Sequence, residues 1–319
     1  MVVRISDSKV NKLQEGTVLV TKAEALVPFW TFIASWEGNW MWRDIVNSDK
    51  NKNDMQWVAD GMTAGTLIWT TDDSYDRKQA ADLSGVGWII FCKATGQRIT
   101  GYFWERSLTA SSFRAETLGL CTLHLLVKAI SEYHELRRWT ATLCCDNKRA
   151  LLLSSHHNGR IRPSAKCADI RRSFKATKKS YKGEFTYVHV YGHMDQHLSW
   201  TQLTLTQQLN CVCNLLAKQA VTDAIIKGYN TDSTQILPLE DIALIVWGDK
   251  ITGDISSPLR FHASKAVARK YHIHQGKKGE WTQEQFEEVD WDHLDLALKN
   301  KADNYKIWRS KQTSDFCGT

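Results

Sequence analysis

Residues 66–76 read Thr-Leu-Ile-Trp-Thr-Thr-Asp-Asp-Ser-Tyr-Asp, an apolar run that ends in acidic residues. The part from Thr66 to Thr71 predicts a strand, and Gly85–Cys92 and Gln97–Glu105 predict two more after short links. Three strands joined in this way are typical of an antiparallel meander. An acid at the end of an apolar strand is poorly placed for ordinary solvation, so Asp72 marks a candidate site.

A long helix follows the meander. Residues 111–133 have apolar side chains at helical spacing, and Ser111 or Ser112 is a suitable N-cap. The later predicted elements are a strand at Trp139–Cys145, a helix at Asn147–Ser155, a basic helix at Ala165–Lys179, a strand at Glu184–Val190 and a helix at Thr204–Ile226. This order predicts an α/β fold, a mixed sheet with helices on its faces.

The chain of 319 residues is long enough for two compact units, and the pattern divides it into three parts. Residues 1–60 form a leader, residues 61–228 the α/β domain and residues 229–319 a smaller, mainly helical extension. The extension has predicted helices near 257–272, 282–288 and 291–311. Four of the five tryptophans in the leader are Trp36, Trp40, Trp42 and Trp57, and for these we favour packing over base stacking.

The composition, 43% hydrophobic and 24% charged, is ordinary for a globular protein. The eight cysteines include no CxxC pair, so we expect reduced thiols and an intracellular protein, in the cytoplasm or the nucleus. The most apolar early stretch, Ala23–Trp36, is too short to span a bilayer, and no membrane partner is expected. A net charge of +6 does not by itself identify a nucleic-acid partner.

Three acids end strands or begin a helix, and this placement indicates a shared site. Asp72 closes the first strand, Asp146 closes the fourth, and Glu116 lies in the first turns of the long helix. Phosphodiester cleavage with two metal ions needs several carboxylates at one point, and carboxylates suit hard Mg²⁺. Each acid has an ordinary alternative, in a helix cap, a turn or a helix dipole. The three together, in this order of elements, favour the site.

His193 lies in the glycine-bearing segment Val190–Asp195, just after the fifth strand. A histidine on such a loop can shuttle a proton or help a product depart. An ordinary surface histidine is the alternative, and the sequence leaves both open.

Positive charge is concentrated before the fifth strand, opposed mainly by Asp169. The cluster consists of Arg160, Arg162, Lys166, Arg171, Arg172, Lys175, Lys178, Lys179 and Lys182. Phosphates attract such a segment through counterion release, and Phe174 and Tyr181 would contact sugars or bases. A solvated cationic helix face is the alternative. The position of the cluster favours shape-directed nucleic-acid binding.

Five motifs resemble, in order, the signature of type 1 ribonuclease H over residues 65–225. They are Asp72-Asp-Ser74, Ser112-Phe-Arg-Ala-Glu-Thr-Leu-Gly-Leu120, Cys145-Asp-Asn147, Gly192-His193 and Asn214-Leu-Leu-Ala217. The arrangement is more specifically similar to the ribonuclease H-like domains of retrotransposon polyproteins, where they follow a reverse transcriptase. Single motifs are weak, but five in the right order are fairly specific.

The resemblance implies a five-stranded sheet of order 3-2-1-4-5 and an enzyme that hydrolyses the RNA strand of an RNA–DNA hybrid. It implies Mg²⁺ or Mn²⁺ held by Asp72, Glu116 and Asp146, with Asn214 at the fourth position and His193 assisting catalysis. The hybrid would be contacted by Ser74, Asn147, Arg160, Arg162, Lys166, Arg171, Lys175, Lys178 and Lys179. A reverse transcriptase, in cis or in trans, is a further implied partner, and the leader would be a remnant of an upstream polyprotein region.

Two positions depart from the family pattern. Asp73 stands where the family usually has glycine, and Asn214 stands where the last helix usually opens its motif with aspartate. An amide oxygen can coordinate a cation but brings no charge, so one metal should bind more weakly. The alternatives are therefore an active nuclease, a nucleic-acid-binding module of the same fold with weakened cleavage, and an integrase-like nuclease. The Gly192-His193 loop and the Leu-Leu-Ala helix speak against the last of these.

Overall fold

The computed structural model describes residues 2–6, 9–13, 27–36, 38–42, 44–46, 54–155, 161–162, 165–228, 235–238, 243–246, 249–251 and 284. The chain divides into two compact units, residues 1–255 and 256–319. All the elements below belong to the first unit. The helices predicted in the second unit lie outside the described residues, except that Glu284 is helical. The predicted domain borders after residues 60 and 228 remain predictions.

The first unit contains ten strands and six α-helices within the described ranges. In chain order they are β1 (Val2–Ser6), β2 (Lys9–Leu13), α1 (Phe29–Ala34), β3 (Asp44–Val46), α2 (Gln56–Ala64), β4 (Leu67–Ser74), β5 (Leu83–Cys92), β6 (Arg98–Arg106), α3 (Ser112–Tyr133), β7 (Thr140–Cys145), α4 (Lys148–Ser155), α5 (Ala168–Ser180), β8 (Glu184–His189), α6 (Leu205–Lys227), β9 (Ala243–Val246) and β10 (Asp249–Ile251). Every strand and helix predicted between residues 66 and 227 is present, with small shifts at its ends.

The central sheet has the order β3-β6-β5-β4-β7-β8. The pairs β4–β5 and β5–β6 are antiparallel, whereas β4–β7 and β7–β8 are parallel. The predicted order 3-2-1-4-5 is confirmed in the last five strands, so the fold is a ribonuclease H-like mixed α/β sheet. The predicted count of five was wrong by one edge strand, because β3 pairs antiparallel with β6. Three residues, Asp44-Ile-Val46, are too short a run for a sequence pattern to mark as a strand.

The two faces of the central sheet have separate apolar cores, because successive strand residues point to opposite sides. On β4, Leu67 and Trp69 belong to the larger core, which also contains residues of α3 and α5. Ile68, between them, packs in a second cluster under α6 with Leu209 and Cys213. Helices therefore cover both faces, as predicted, and β4 is enclosed from both sides.

Helix α3 packs unusually close to β4. A Cβ atom on Gly119 would lie 2.2 Å from Oγ1 of Thr71, a distance that real Cβ atoms do not show. Glycine therefore permits this approach. The helix begins where the sequence predicted, because the side chain of Ser111 accepts a hydrogen bond of 3.2 Å from the backbone N–H of Arg114. The packing brings the first turns of α3 beside the carboxyl end of β4.

The aromatic residues of the leader pack into the larger core. Trp36, Trp40 and Trp42 are buried there, and Nε1 of Trp40 donates a hydrogen bond of 3.0 Å to the carbonyl oxygen of Ile236. Trp57 is half-buried against the same core. The preference for packing over base stacking is confirmed for these residues.

A second, four-stranded sheet has the order β10-β9-β1-β2. Strand β1 pairs antiparallel with β2 and parallel with β9, while β9 pairs antiparallel with β10. We did not predict this sheet, because its strands have only three to five residues each, too few for a clear pattern. The first described elements of the C-terminal extension are therefore strands.

Among the described helices, none combines the length and the apolar character that crossing a bilayer requires. The seven described cysteines all have free thiols, as expected, and Cys317 lies outside the described residues.

A buried network of charges joins α3, α5 and β6. The guanidinium of Arg114 donates to both carboxylate oxygens of Glu105, at 2.8 and 2.6 Å, and to both of Asp169, at 3.0 and 2.7 Å. Lys250 Nζ lies 3.7 Å from Asp169. Burial opposes charge on Asp169, but Arg114 and Lys250 outweigh it and hold the pKa of this carboxyl well below its ordinary value. Arg114 and Asp169 thus fix the starts of two helices to the sheet.

Removing one partner of this network should be costly. We expect Asp169→Ala to lower the free energy of unfolding by about 3–5 kcal/mol, because Arg114 would keep its buried charge with half its partners. Urea denaturation measures the loss. The control is Lys227→Ala, which removes an exposed ion pair with Asp223 and should cost less than about 1 kcal/mol. Similar losses in the two variants would contradict the importance of the buried network.

Candidate active site

Four acidic side chains meet at one end of the central sheet. Asp72 and Asp73 lie near the carboxyl end of β4, and Asp146 directly follows β7. Because β4 and β7 are parallel neighbours, their carboxyl ends lie at the same edge of the sheet. Helix α3 brings Glu116, which is 2% exposed, to the same place.

The distances define two overlapping groups. One ligand atom each from Asp72, Asp73 and Glu116 lies within 4.8 Å of the others, and the same holds for Glu116, Cys145 and Asp146. Glu116 belongs to both groups and is therefore the centre of the cluster. The structure thus brings together the three acids that we proposed from the sequence, and it adds Asp73 and Cys145.

These carboxyl groups have no positive partner in the part of the chain that the structure describes. Within the described residues, no lysine, arginine or histidine forms an ion pair with Asp72, Asp73, Glu116 or Asp146. Asp72 is nevertheless only 4% exposed. Burying charged groups without compensation is expensive, so the cluster favours either protons or cations.

Burial and nearby negative charge raise the affinity of Asp72, Asp73 and Glu116 for protons. Burial, together with the nearby charge of Asp146, raises the pKa of Asp72 to about 8. Burial also raises the pKa of Asp73 to about 6, although hydrogen bonds with Glu116 and Ser112 oppose the change. The pKa of Glu116 lies well above its ordinary value, first because it is buried and then because of Cys145 and the surrounding acids.

Cys145 is a member of the cluster that we had read only as a buried thiol. Burial raises the pKa of this thiol to about 12, so it stays protonated. Its Sγ atom donates a hydrogen bond of 3.1 Å to Oε2 of Glu116. The thiol therefore orients the central carboxyl group.

The donor set fits hard divalent cations. Carboxylate oxygens are the ligands that Mg²⁺ prefers, and Mn²⁺ accepts them as well. Asp72, Asp73 and Glu116 would form one carboxylate ligand group, and Glu116 links this group to Asp146. Uncompensated negative charge in a buried place also favours a cation over an empty cluster.

Asn147 caps the helix after β7. Its Oδ1 atom accepts hydrogen bonds of 3.1 Å from the backbone N–H groups of Arg149 and Ala150. A helix cap was the ordinary alternative for Asp146, and this cap is supplied instead by the next residue, Asn147. Ser74 is the last residue of β4 and is half-buried.

His193 and Asn214 form a pair beside the cluster. Nδ2 of Asn214 lies 3.0 Å from Nδ1 of His193, whose side chain is exposed. The preceding residue, Gly192, lies against Asp146, since a Cβ atom there would be 2.2 Å from Oδ2 of that carboxyl. Glycine therefore brings the histidine loop next to the acids.

Asn210 is the residue of this site that the sequence did not reveal. Its Nδ2 atom donates a hydrogen bond of 2.6 Å to Oδ2 of Asp72. Asn210 lies on α6 one turn before Asn214, the position that the family resemblance had singled out. Its spacing from Asn214 was the one available signal, because positions four apart share a helix face.

The basic segment differs in part from our expectation. Phe174 is buried in the larger core, and Tyr181 packs against that core and is hydrogen-bonded to His124, so the prediction that they contact sugars or bases was wrong. Their apolar surface is used to attach α5 to the sheet. Asp169, which we expected to offset the segment's charge, is instead buried with Arg114.

The remaining cations of this segment lie in different environments. Lys178 is half-buried and donates a hydrogen bond of 3.0 Å to the carbonyl oxygen of Ser154. Arg162, Lys166 and Lys179 are exposed, whereas Arg171, Arg172 and Lys175 are half-buried. Arg160 lies outside the described residues.

No protein-family model matches this sequence, and no curated protein matches it. Among solved structures, the chain is similar to the N-terminal RNase H domain of Rv2228c from Mycobacterium tuberculosis, with 13% identity and a TM-score of 0.33, over 50% of this chain and 96% of that chain. It is also similar to LC11-RNase H1, isolated from compost by a metagenomic approach, with 12% identity and a TM-score of 0.37, over 50% and 99% of the two chains.

A third similar structure is the RNase H domain of PFV, with 12% identity and a TM-score of 0.37, over 50% of this chain and 95% of that chain. With identities and TM-scores this low, the function of these proteins does not transfer to this chain. The fold rests on the strand order and the helix positions described above.

The raised pKa of Asp72 predicts how pH and cations act on stability. A carboxyl group whose pKa is higher in the folded state holds its proton more tightly there, so folding stability falls as pH rises from about 4 to about 8. Bound Mg²⁺ replaces the proton, so we expect it to raise the thermal midpoint more near pH 8 than near pH 5. Thermal unfolding with EDTA and with excess MgCl₂ measures both effects.

The matching variant is Asp72→Asn, which removes the charge but keeps an acceptor for Asn210. It should stabilise the metal-free protein near pH 8 by more than about 1 kcal/mol and lose most of the stabilisation by Mg²⁺. A variant that is less stable than the wild type in EDTA near pH 8 would contradict the repulsion described here.

Proposed function

We propose that this chain binds RNA–DNA hybrids and hydrolyses their RNA strand, using Mg²⁺ or Mn²⁺ held by Asp72, Glu116 and Asp146. The observation that carries the proposal is the buried meeting of these carboxyl groups, from β4, α3 and the end of β7, without a protein cation among the described residues. A purely structural cluster of acids would be expected to have a partner such as the one that Arg114 provides for Glu105.

The roles of the side chains follow from their contacts. Divalent ions in such a site activate water and stabilise the negative charge that develops on the phosphate. Asp72, Glu116 and Asp146 supply the negative oxygens that bind the ions, and Cys145 orients Glu116 through its thiol. His193 lies on the loop beside Asp146, and its Nε2 atom can release or take up a proton there while Nδ1 faces Asn214.

A binding module with weakened cleavage is the second candidate, and one observation favours it. Asn214 brings no charge, and its amide is directed to His193. The position at which the family usually places a fourth acid therefore adds nothing to the charge of the cluster. Such a protein would still hold the hybrid, but one cation would be bound more weakly.

The proposal also covers the origin of the protein and the molecules with which it would act. The order of the five motifs supports descent from a retroelement, in which a reverse transcriptase would act with this domain in cis or in trans. The substrate-binding surface that we propose consists of the exposed cations Arg162, Lys166 and Lys179 together with Arg171 and Lys175. Free thiols throughout the described part support an intracellular location.

Cleavage of a labelled RNA–DNA hybrid in Mg²⁺ or Mn²⁺ tests the activity. We expect Asp146→Asn to lower the cleavage rate by at least about 100-fold, because it removes a charge that the ions require. Asn214→Asp should preserve or raise the rate, most clearly at low Mg²⁺, because it restores a charged ligand.

The matched control for this assay is Asp60→Asn, which changes an exposed carboxyl on α2 and should leave the rate unchanged. Cleavage that survives Asp146→Asn would refute the site. Hybrid binding without cleavage in either metal would favour the second candidate.

Salt dependence tests the binding surface. We expect Lys166→Ala and Lys179→Ala to weaken hybrid binding similarly for different sequences, because phosphate contacts carry no base information. Each lost contact should reduce the slope of log K against log salt by about 1. Fluorescence anisotropy over a salt series measures the slope. An unchanged slope in the double variant would exclude these two lysines from the surface.

A further inference from the structure

Two asparagines on α6 are one helical turn apart and have different partners. Asn214 occupies the position that the motif pattern singles out, but its side chain is paired with His193. Asn210 has no motif to mark it, yet its amide nitrogen donates to Asp72 across 138 positions of the sequence. The contact between α6 and the acid cluster that the structure records is therefore made by Asn210.

The oxygen atom of the same amide, Oδ1 of Asn210, has no hydrogen-bond partner in the described part of the chain. Asn210 is 2% exposed, and its Oδ1 atom is buried without a hydrogen bond to any part of the chain that the structure describes. An unsatisfied buried oxygen is costly, so such atoms are rare in folded proteins unless a water or an ion serves as their partner. This oxygen belongs to the amide whose nitrogen contacts Asp72, so a cation or water held by the cluster is a partner of suitable chemistry for it.

We propose that Asn210 is a positioning residue of the cation site: its Nδ2 atom fixes the carboxylate of Asp72 in one orientation, and its Oδ1 atom supplies an uncharged oxygen to the bound cation, directly or through water. This inference rests on the proposed function, because it assumes that the acids hold a divalent ion.

An amide suits this place better than a fourth carboxylate would. A donated hydrogen bond favours the charged form of Asp72, which is the form that binds a cation. An additional aspartate at the same position would instead repel Asp72 and could not donate to it when charged. Asn210 therefore assists the cluster without adding charge. This assistance compensates in part for the charged ligand that is missing at Asn214.

Mn²⁺ binding to the full chain, followed by electron paramagnetic resonance without any nucleic acid, tests the inference. We expect Asn210→Leu, which is similar in size but has no polar group, to weaken Mn²⁺ binding by about 10–100-fold. Asn210→Ser keeps a hydroxyl group and should recover part of the affinity. The control Gln208→Ala removes another amide of α6, which is bonded to backbone carbonyls, and should leave the affinity unchanged.

The thermal midpoint in EDTA separates this role from a contribution to folding. A folded Asn210→Leu variant that binds Mn²⁺ as tightly as the wild type would overturn the inference. If the leucine variant does not fold, Asn210→Ser decides the question. A Mn²⁺ affinity of Asn210→Ser equal to that of Gln208→Ala would also overturn the inference. If the wild-type chain does not bind Mn²⁺, or binds it with an affinity that Asp146→Asn leaves unchanged, both the proposed function and this inference are overturned. Wild-type binding that is lost in Asp146→Asn but kept in both Asn210 variants would overturn this inference alone.

Discussion

Negative charge on a buried carboxyl group needs a positive partner, and this constraint shapes the site, where Asp72 and Glu116 are buried and Asp73 and Asp146 half-buried. The sheet topology brings the acids together, because the parallel pairing of β4 and β7 puts the carboxyl ends of these two strands side by side. Helix α3 then adds Glu116 by packing tightly on β4 through Gly119. These elements together leave Asp72 and Glu116 almost without exposure to solvent. The resulting electrostatic strain is tolerable only if the site regularly takes up protons or cations.

The same chain shows how it treats acids that have only a structural role. Glu105 and Asp169 are buried as well, but Arg114 satisfies both with paired hydrogen bonds and Lys250 adds a second positive charge. Arg114 and Lys250 keep the pKa of Asp169 well below its ordinary value without help from solution. The two clusters are neighbours on α3, since Arg114 and Glu116 are two residues apart. The satisfied cluster thus anchors the same part of the helix that carries Glu116, and rigid support of this kind is what a cation site needs.

The central sheet could be predicted from the sequence because its strands are short apolar runs, its helices have apolar stripes and caps, and two of its acids lie at strand ends. It failed where the deciding contact joins distant residues of ordinary type. Asn210 looks like any polar residue within a helix, and only the fold reveals that it reaches Asp72. Phe174 looked like a base-stacking residue because it lies among cations, but the helix turns it into the core. A periodic pattern shows which residues share one face of a helix or strand, but it does not show which element that face packs against.

The small second sheet has a consequence for how the chain is made. Strand β1 begins near the first residue, but its parallel partner β9 begins at Ala243. During synthesis the hairpin of β1 and β2 therefore emerges long before the strand that covers its open side. Until then, one row of backbone N–H and C=O groups is available to any other extended chain. The later pairing of β1 with β9 covers this row and so protects the chain against edge-to-edge self-association.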